Sequence, residues 1–149
     1  GSVDGFAVVL QHLFGDSGFG TQINATFVSG GDVDIDRDDT SRQFILPGLG
    51  DSSNFSFFYE DSFVTARVAL NTRGETVAGF GNYDQPLYVE ERNQWDLSLA
   101  LNVAEDAVVF YEVQNVNDEP TRLYARYQEM LFLSQDHGPI HRLGFRYKF

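Results

Sequence analysis

Apolar and polar residues alternate along most of this chain. In WDLSLALNV, residues 95–103, Trp95, Leu97, Leu99, Leu101 and Val103 stand opposite Asp96, Ser98, Ala100 and Asn102. A period of two puts successive side chains on opposite faces of a strand. The same pattern predicts strands over residues 19–27 (Phe19, Ile23, Ala25, Phe27), 53–59 (Phe55, Phe57, Tyr59) and 63–71 (Val64, Ala66, Val68, Leu70). It also predicts 107–114 (Val109, Tyr111, Val113) and 141–149 (His141, Leu143, Phe145, Tyr147, Phe149). Residues 3–14 make a seventh strand with weaker alternation. Phe58 breaks the polar side of its strand. No stretch shows the 3.6-residue period of a helix.

The connections alternate in length as well. Residues 15–18, 60–62 and 104–106 read as tight turns. Residues 30–52, 73–94 and 116–138 read as long polar connections. The prediction is an all-β fold, an antiparallel up-and-down meander of about seven strands, plain at one end and elaborated at the other.

Such a pattern fits two environments. In a soluble sandwich the apolar face is core; in a membrane barrel it meets lipid and the polar face lines the lumen. Aromatic residues make up 15% of the chain, and several collect near strand ends: Phe19, Tyr59, Phe63, Trp95, Tyr147 and Phe149. A barrel carries aromatic girdles at both interfaces. Connections this long are also unusual in a compact sandwich. Both features favour part of a transmembrane β-barrel. No apolar run is long enough for a membrane helix, which leaves a barrel open.

The net charge is −12. That argues against nucleic acid, whose phosphates need basic partners, and against peripheral binding to an anionic bilayer. The chain has no cysteine, so disulfides, thiolate metal sites and thiol chemistry are excluded.

The closing stretch HRLGFRYKF carries a more specific likeness. Arg142, Gly144, Tyr147 and Phe149 fit the terminal assembly signal of bacterial outer-membrane proteins, which the barrel-assembly machinery reads. The stretches GFGTQINATFVSG, ILPGLGDSSNFSFFYED, SFVTARVALNTRG, QWDLSLALNV and AVVFYEVQNVNDEPTRLY, in this order before RLGFRYKF, resemble the last strands and loops of a TonB-dependent receptor. The likeness covers nearly all of residues 1–149. It implies a segment of a barrel of about 22 strands with a plugged lumen. The whole receptor would import iron chelates, vitamins or glycans across the bacterial outer membrane. Its implied partners are outer-membrane lipid, the assembly machinery, the rest of the barrel and plug, and the cargo. The plug and TonB box of that family are absent, so the expectation is a C-terminal piece that does not transport alone. Seven strands cannot close as an antiparallel barrel, and both edges would stay open. Two alternatives remain at this point: a small complete outer-membrane barrel acting as anchor or adhesin, and a soluble β-sandwich binding module.

Candidate chemistry is sparse. Asp32, Asp34, Asp36 and Asp38 offer oxygen ligands for Ca²⁺, but the EF-hand pattern fails, with Arg37 where glycine is required and Gln43 where glutamate is. A solvated acidic loop is the simpler reading. His12, His137 and His141 are scattered. Ser134, Asp136 and His137 lie too close together in sequence for a triad. No enzyme activity and no cofactor are expected. Arg67, Glu112, Arg146 and Lys148 fall on the polar face and would line a lumen. Tyr83, Tyr88, Tyr124, Arg126 and Tyr127 sit in the long connections and are candidates for stacking on a sugar or chelate. Residues 122–127 and 130–134 could also pair as a hairpin that extends the neighbouring strands outward.

Overall fold

A computed structural model of the chain describes residues 3–30, 35–39, 41, 43–44 and 46–149. Eleven strands are present: β1 (Val3–Leu13), β2 (Phe19–Gly30), β3 (Ser52–Glu60), β4 (Val64–Arg73), β5 (Thr76–Phe80), β6 (Pro86–Val89), β7 (Arg92–Ala104), β8 (Ala107–Gln114), β9 (Thr121–Ala125), β10 (Leu131–Gln135) and β11 (Ile140–Tyr147). They form two antiparallel sheets, β1-β2-β3-β4-β7-β8-β11 and β10-β9-β6-β5. No helix among the described residues is long and apolar enough to cross a membrane.

The larger sheet contains all seven strands that the alternation predicts, each beside its predicted neighbour. Its strands are long, with 11, 12, 9, 10, 13, 8 and 8 residues in order across the sheet. The smaller sheet lies within the connections read as loops. Residues 73–94 were expected to be a polar loop, yet they hold the β5–β6 hairpin, and residues 116–138 hold the β9–β10 hairpin that the sequence had offered. Strands of 4 or 5 residues with a register shift between Val77 and Gly79 are too short and irregular to show a period. The order β5-β6-β9-β10 repeats the order β4-β7-β8-β11, so the small sheet continues those four strands past the end of the large one.

The sheet is open. With every neighbour antiparallel, β1 and β11 run in the same direction and form its two edges. As the odd strand count implies, these seven strands do not close into a barrel, since edges that run the same way cannot pair antiparallel.

Local chemistry sets the turns at the plain end. The Asp61 carboxylate accepts the backbone N–H groups of Phe63 and Val64 at 2.7 Å each, and the Tyr59 hydroxyl at 2.7 Å. These donors, Val64 N–H foremost, hold the Asp61 carboxyl below its usual range. Ala104 pairs with Ala107, which leaves a two-residue turn at Glu105-Asp106. Gly15 and Gly18 take φ of 60° and 79° between β1 and β2, where any other residue would be strained.

Two aromatic rings on the polar face lie over glycines of the next strand. Phe58 covers Gly20, and Phe110 covers Gly144. A ring that shields the bare backbone of a cross-strand glycine compensates for its missing side chain. This explains why Phe58 interrupts an otherwise polar series. A β-carbon on residue 144 would collide with the Phe110 ring. Gly144→Val is expected to lower stability by about 1–3 kcal/mol. Adding Phe110→Ala should recover part of that loss, as read from urea midpoints in a double-mutant cycle. If Phe110→Ala recovers nothing, the ring-on-glycine contact is not what the valine disrupts.

Candidate functional site

Three surfaces carry the chemistry of this fold. The first is the apolar face of the large sheet. One row of register partners runs Phe19, Tyr59, Ala66, Leu99, Tyr111 and Leu143; another runs Leu10, Ile23, Phe55, Leu70 and Trp95. Between them lie Phe57, Val68, Leu97 and Val113. Every strand adds to one continuous apolar surface, and among the described residues nothing covers it. Leu99 is 39% exposed, Leu97 43% and Leu143 78%. An open apolar hollow of about 460 Å³ lies among Phe19, Phe57, Val68, Leu97 and Tyr111. Patches on soluble monomers seldom exceed a few hundred square ångströms, so a face spanning seven strands needs an apolar partner.

Aromatic rings pack near the strand ends of this face. Phe19 stacks on Phe57 and tilts against Tyr59, and Tyr147 meets Phe149 edge-on at 5.5 Å. Phe6 stacks on Phe27 at 5.0 Å toward the elaborated end. Trp95 lies near the start of β7, on that same side. His141 accepts or donates a hydrogen bond with Tyr111 at 2.8 Å, at the start of β11.

The second surface is the polar face. Asn54 Nδ2 donates to Asn71 Oδ1 at 2.5 Å, and Asn71 Nδ2 donates to Asp96 Oδ2 at 2.7 Å. Asp96 Oδ1 also accepts Gln94 Nε2 at 2.7 Å and the Asn115 backbone N–H at 2.9 Å. Arg67 donates to Ser56 Oγ at 3.1 Å, and Ser56 is fully buried. Arg142 and Glu112, cross-strand partners, form an ion pair at 3.9 Å. This ladder satisfies polar side chains against one another.

No protein-family model, curated protein sequence or solved structure matches the chain.

The third surface is on the small sheet, where an arginine from the acidic connection docks. The Arg37 guanidinium lies 4.3 Å from the Tyr88 ring centre and 6.0 Å from that of Tyr124. It donates to the Arg126 carbonyl at 2.8 Å and to Glu75 Oε1 at 2.9 Å. Tyr124 donates its hydroxyl to the other Glu75 oxygen and stacks on Tyr88 at 5.3 Å. Burial, then the hydrogen bond to Glu75, pushes the Tyr124 phenol up to about 12. Arg126 returns the contact, donating Nε to the Arg37 carbonyl at 2.6 Å and pairing with Asp38 at 3.1 Å. The Tyr127 hydroxyl donates to Asp38 as well.

The candidate stacking residues thus divide. Tyr88 and Tyr124 are buried against each other and Arg37, and Arg126 is held by Asp38. Tyr127 is partly exposed, while Tyr83 is 87% exposed at the β5–β6 turn with a left-handed φ of 61°. Of the Ca²⁺ candidates, Asp32 and Asp34 lie outside the described residues. Asp36 accepts the Asp38 N–H at 2.9 Å, and Asp38 receives Arg126 and Tyr127. Among the described residues no group of three or more His, Asp or Glu side chains is arranged to hold a metal. Of the assembly-signal residues, Arg142 pairs with Glu112 and Gly144 lies under Phe110, both on the polar side; Tyr147 and Phe149 lie in contact on the other. Sequence reasoning missed Arg37 and Glu75. The available signal was a single basic residue within an acidic run.

Proposed function

We propose that the chain is a segment of an outer-membrane transport receptor barrel of the TonB-dependent kind, placed in the bacterial outer membrane. The observation that carries this reading is the uncovered apolar face, continuous across seven meandering strands of 8 to 13 residues. A tilted strand crosses a bilayer with about 9–11 residues, whereas ordinary strands average about 5–6. Strand length, the one-sided apolar surface and aromatic rings near both ends agree with a lipid-facing wall. The polar ladder of Asn54, Asn71, Gln94 and Asp96 agrees with a wet lumen. The two same-direction edges call for further strands, which the rest of the receptor would supply. In this reading the wall has no catalytic residue. The whole receptor takes up small chelates, vitamins or glycans, and the small sheet, with Tyr83 and Tyr127 exposed, belongs to its outward mouth.

Reconstitution tests it. The chain should partition into phosphatidylcholine vesicles or non-ionic detergent with its β-sheet circular dichroism retained, and should precipitate or self-associate without them. A folded, monomeric chain in detergent-free buffer, with no affinity for vesicles, would sink the membrane reading in favour of a soluble sandwich.

A further inference from the structure

Arg73 closes β4 and Arg92 opens β7, and the two are direct cross-strand partners. Both belong to the polar face, at the junction where the small sheet continues the large one. Like charges directly opposite one another destabilise a strand pair. They stand out in a chain with 22 acidic and 10 basic residues, where charge alone would favour an acid opposite each arginine.

The nearby acids are already engaged. Two residues beyond these strand ends lie Glu75 and Glu90. Glu75 holds Arg37 and Tyr124, and Glu90 pairs with Arg122 at 3.1 Å. Inward lie Asn71 and Gln94, whose amides both donate to Asp96. Among the described residues neither Arg73 nor Arg92 has an ion-pair partner. The Arg92 Nε is moreover buried without any hydrogen-bond acceptor. A buried guanidinium N–H without an acceptor is costly, and the group's planar fork matches a two-oxygen anion.

We propose that Arg73 and Arg92 form an oxyanion clamp that takes a carboxylate or phosphate group of a bound ligand. An anion held between the two strand ends would relieve the repulsion of the paired arginines. Arg73 is exposed and offers the approach from water. Carboxylate and phosphate share this chemistry, and separate probes distinguish them.

Isothermal titration of the full chain, folded in non-ionic detergent, with citrate and separately with inorganic phosphate at fixed ionic strength tests the clamp. At least one probe should bind. R73Q/R92Q should abolish that binding, and R92K, which keeps the charge but loses the fork, should weaken it about ten-fold or more. R146Q removes an equal charge from the same face and should bind like wild type. Binding of citrate alone assigns a carboxylate ligand, of phosphate alone a phosphate, and of both a general oxyanion site. Failure of both probes, full binding by R73Q/R92Q, or equal loss in R146Q would overturn the proposal. Circular dichroism of each variant confirms that it is folded, and R92K keeps the test decisive if the double variant is not.

Discussion

Replacing Leu97 with arginine is expected to reduce vesicle partitioning of the chain by about 30- to 1000-fold. Leu97 lies one residue from the middle of the 13-residue β7, on the apolar face beside Val68 and Val113. Arginine on the lipid side of a barrel near the bilayer centre costs about 2–4 kcal/mol, and each 1.4 kcal/mol is about ten-fold. Asn24→Arg is the matched control. It stands near the middle of β2 on the polar face, opposite Val9 and Asn54, and should leave partitioning within about two-fold of wild type if that face is wet. Flotation of vesicles through a density gradient measures both. Equal behaviour of the two variants would mean that the faces are not lipid and water, and the transport reading would fall with that result.

The expected asymmetry follows from the register of the strands. A one-residue slip of any strand would carry its whole apolar set to the other face. Here all six pairings of the large sheet agree, from Leu10 opposite Ile23 to Leu143 opposite Tyr111. The short turns help fix that register. Asp61 gathers two backbone N–H groups at one turn, and the two-residue turn at Glu105-Asp106 permits little slack at another.

This regularity is also why the large sheet was legible. Seven alternating stretches predict seven strands, in the observed order, because a strand with two unlike environments must alternate. The odd strand count showed that these seven cannot close on themselves, but what pairs with the edges was not legible, since alternation describes one strand's faces and says nothing about what lies beyond β1 and β11. The β9–β10 half of the small sheet was offered by the sequence, but the β5–β6 half and the packing of the sheet escaped for a different reason. Tyr88 on β6 and Tyr124 on β9 are buried by an arginine about 50 and 90 residues away in sequence, not by a neighbour in a periodic pattern. Their polar surroundings made them look like exposed loop residues. Tyr83, read in the same way, is 87% exposed. The opposed arginines of β4 and β7 were invisible until the register was known, because Arg73 and Arg92 are separated by a whole hairpin.

Tyr124→Ala should be the most damaging single change in the small sheet. Removing a buried aromatic ring to alanine costs about 3–5 kcal/mol, and here it also strips Tyr88 of its stacking partner. Tyr124→Phe isolates the hydroxyl, which donates to Glu75 and lies 3.4 Å from the Arg37 guanidinium. Its effect should be pH-dependent. Burial, then the Glu75 hydrogen bond, favours the neutral form and pushes the folded phenol up to about 12, against about 10 for a free tyrosine. The stabilisation is complete below pH 10. Above it the unfolded chain gives up this proton while the folded chain keeps it, so stability falls as pH rises toward 12. Two pH units correspond to at most about 2.7 kcal/mol. Tyr88 is shifted upward too, by burial first, and contributes in the same direction. The decisive quantity is therefore the difference between wild type and Tyr124→Phe, followed by urea unfolding with near-ultraviolet circular dichroism from pH 9 to pH 12. The gap should narrow steadily across that range. A constant gap would show that the phenol keeps an ordinary affinity for its proton, and that Arg37 and Glu75 do not lock it into the small sheet.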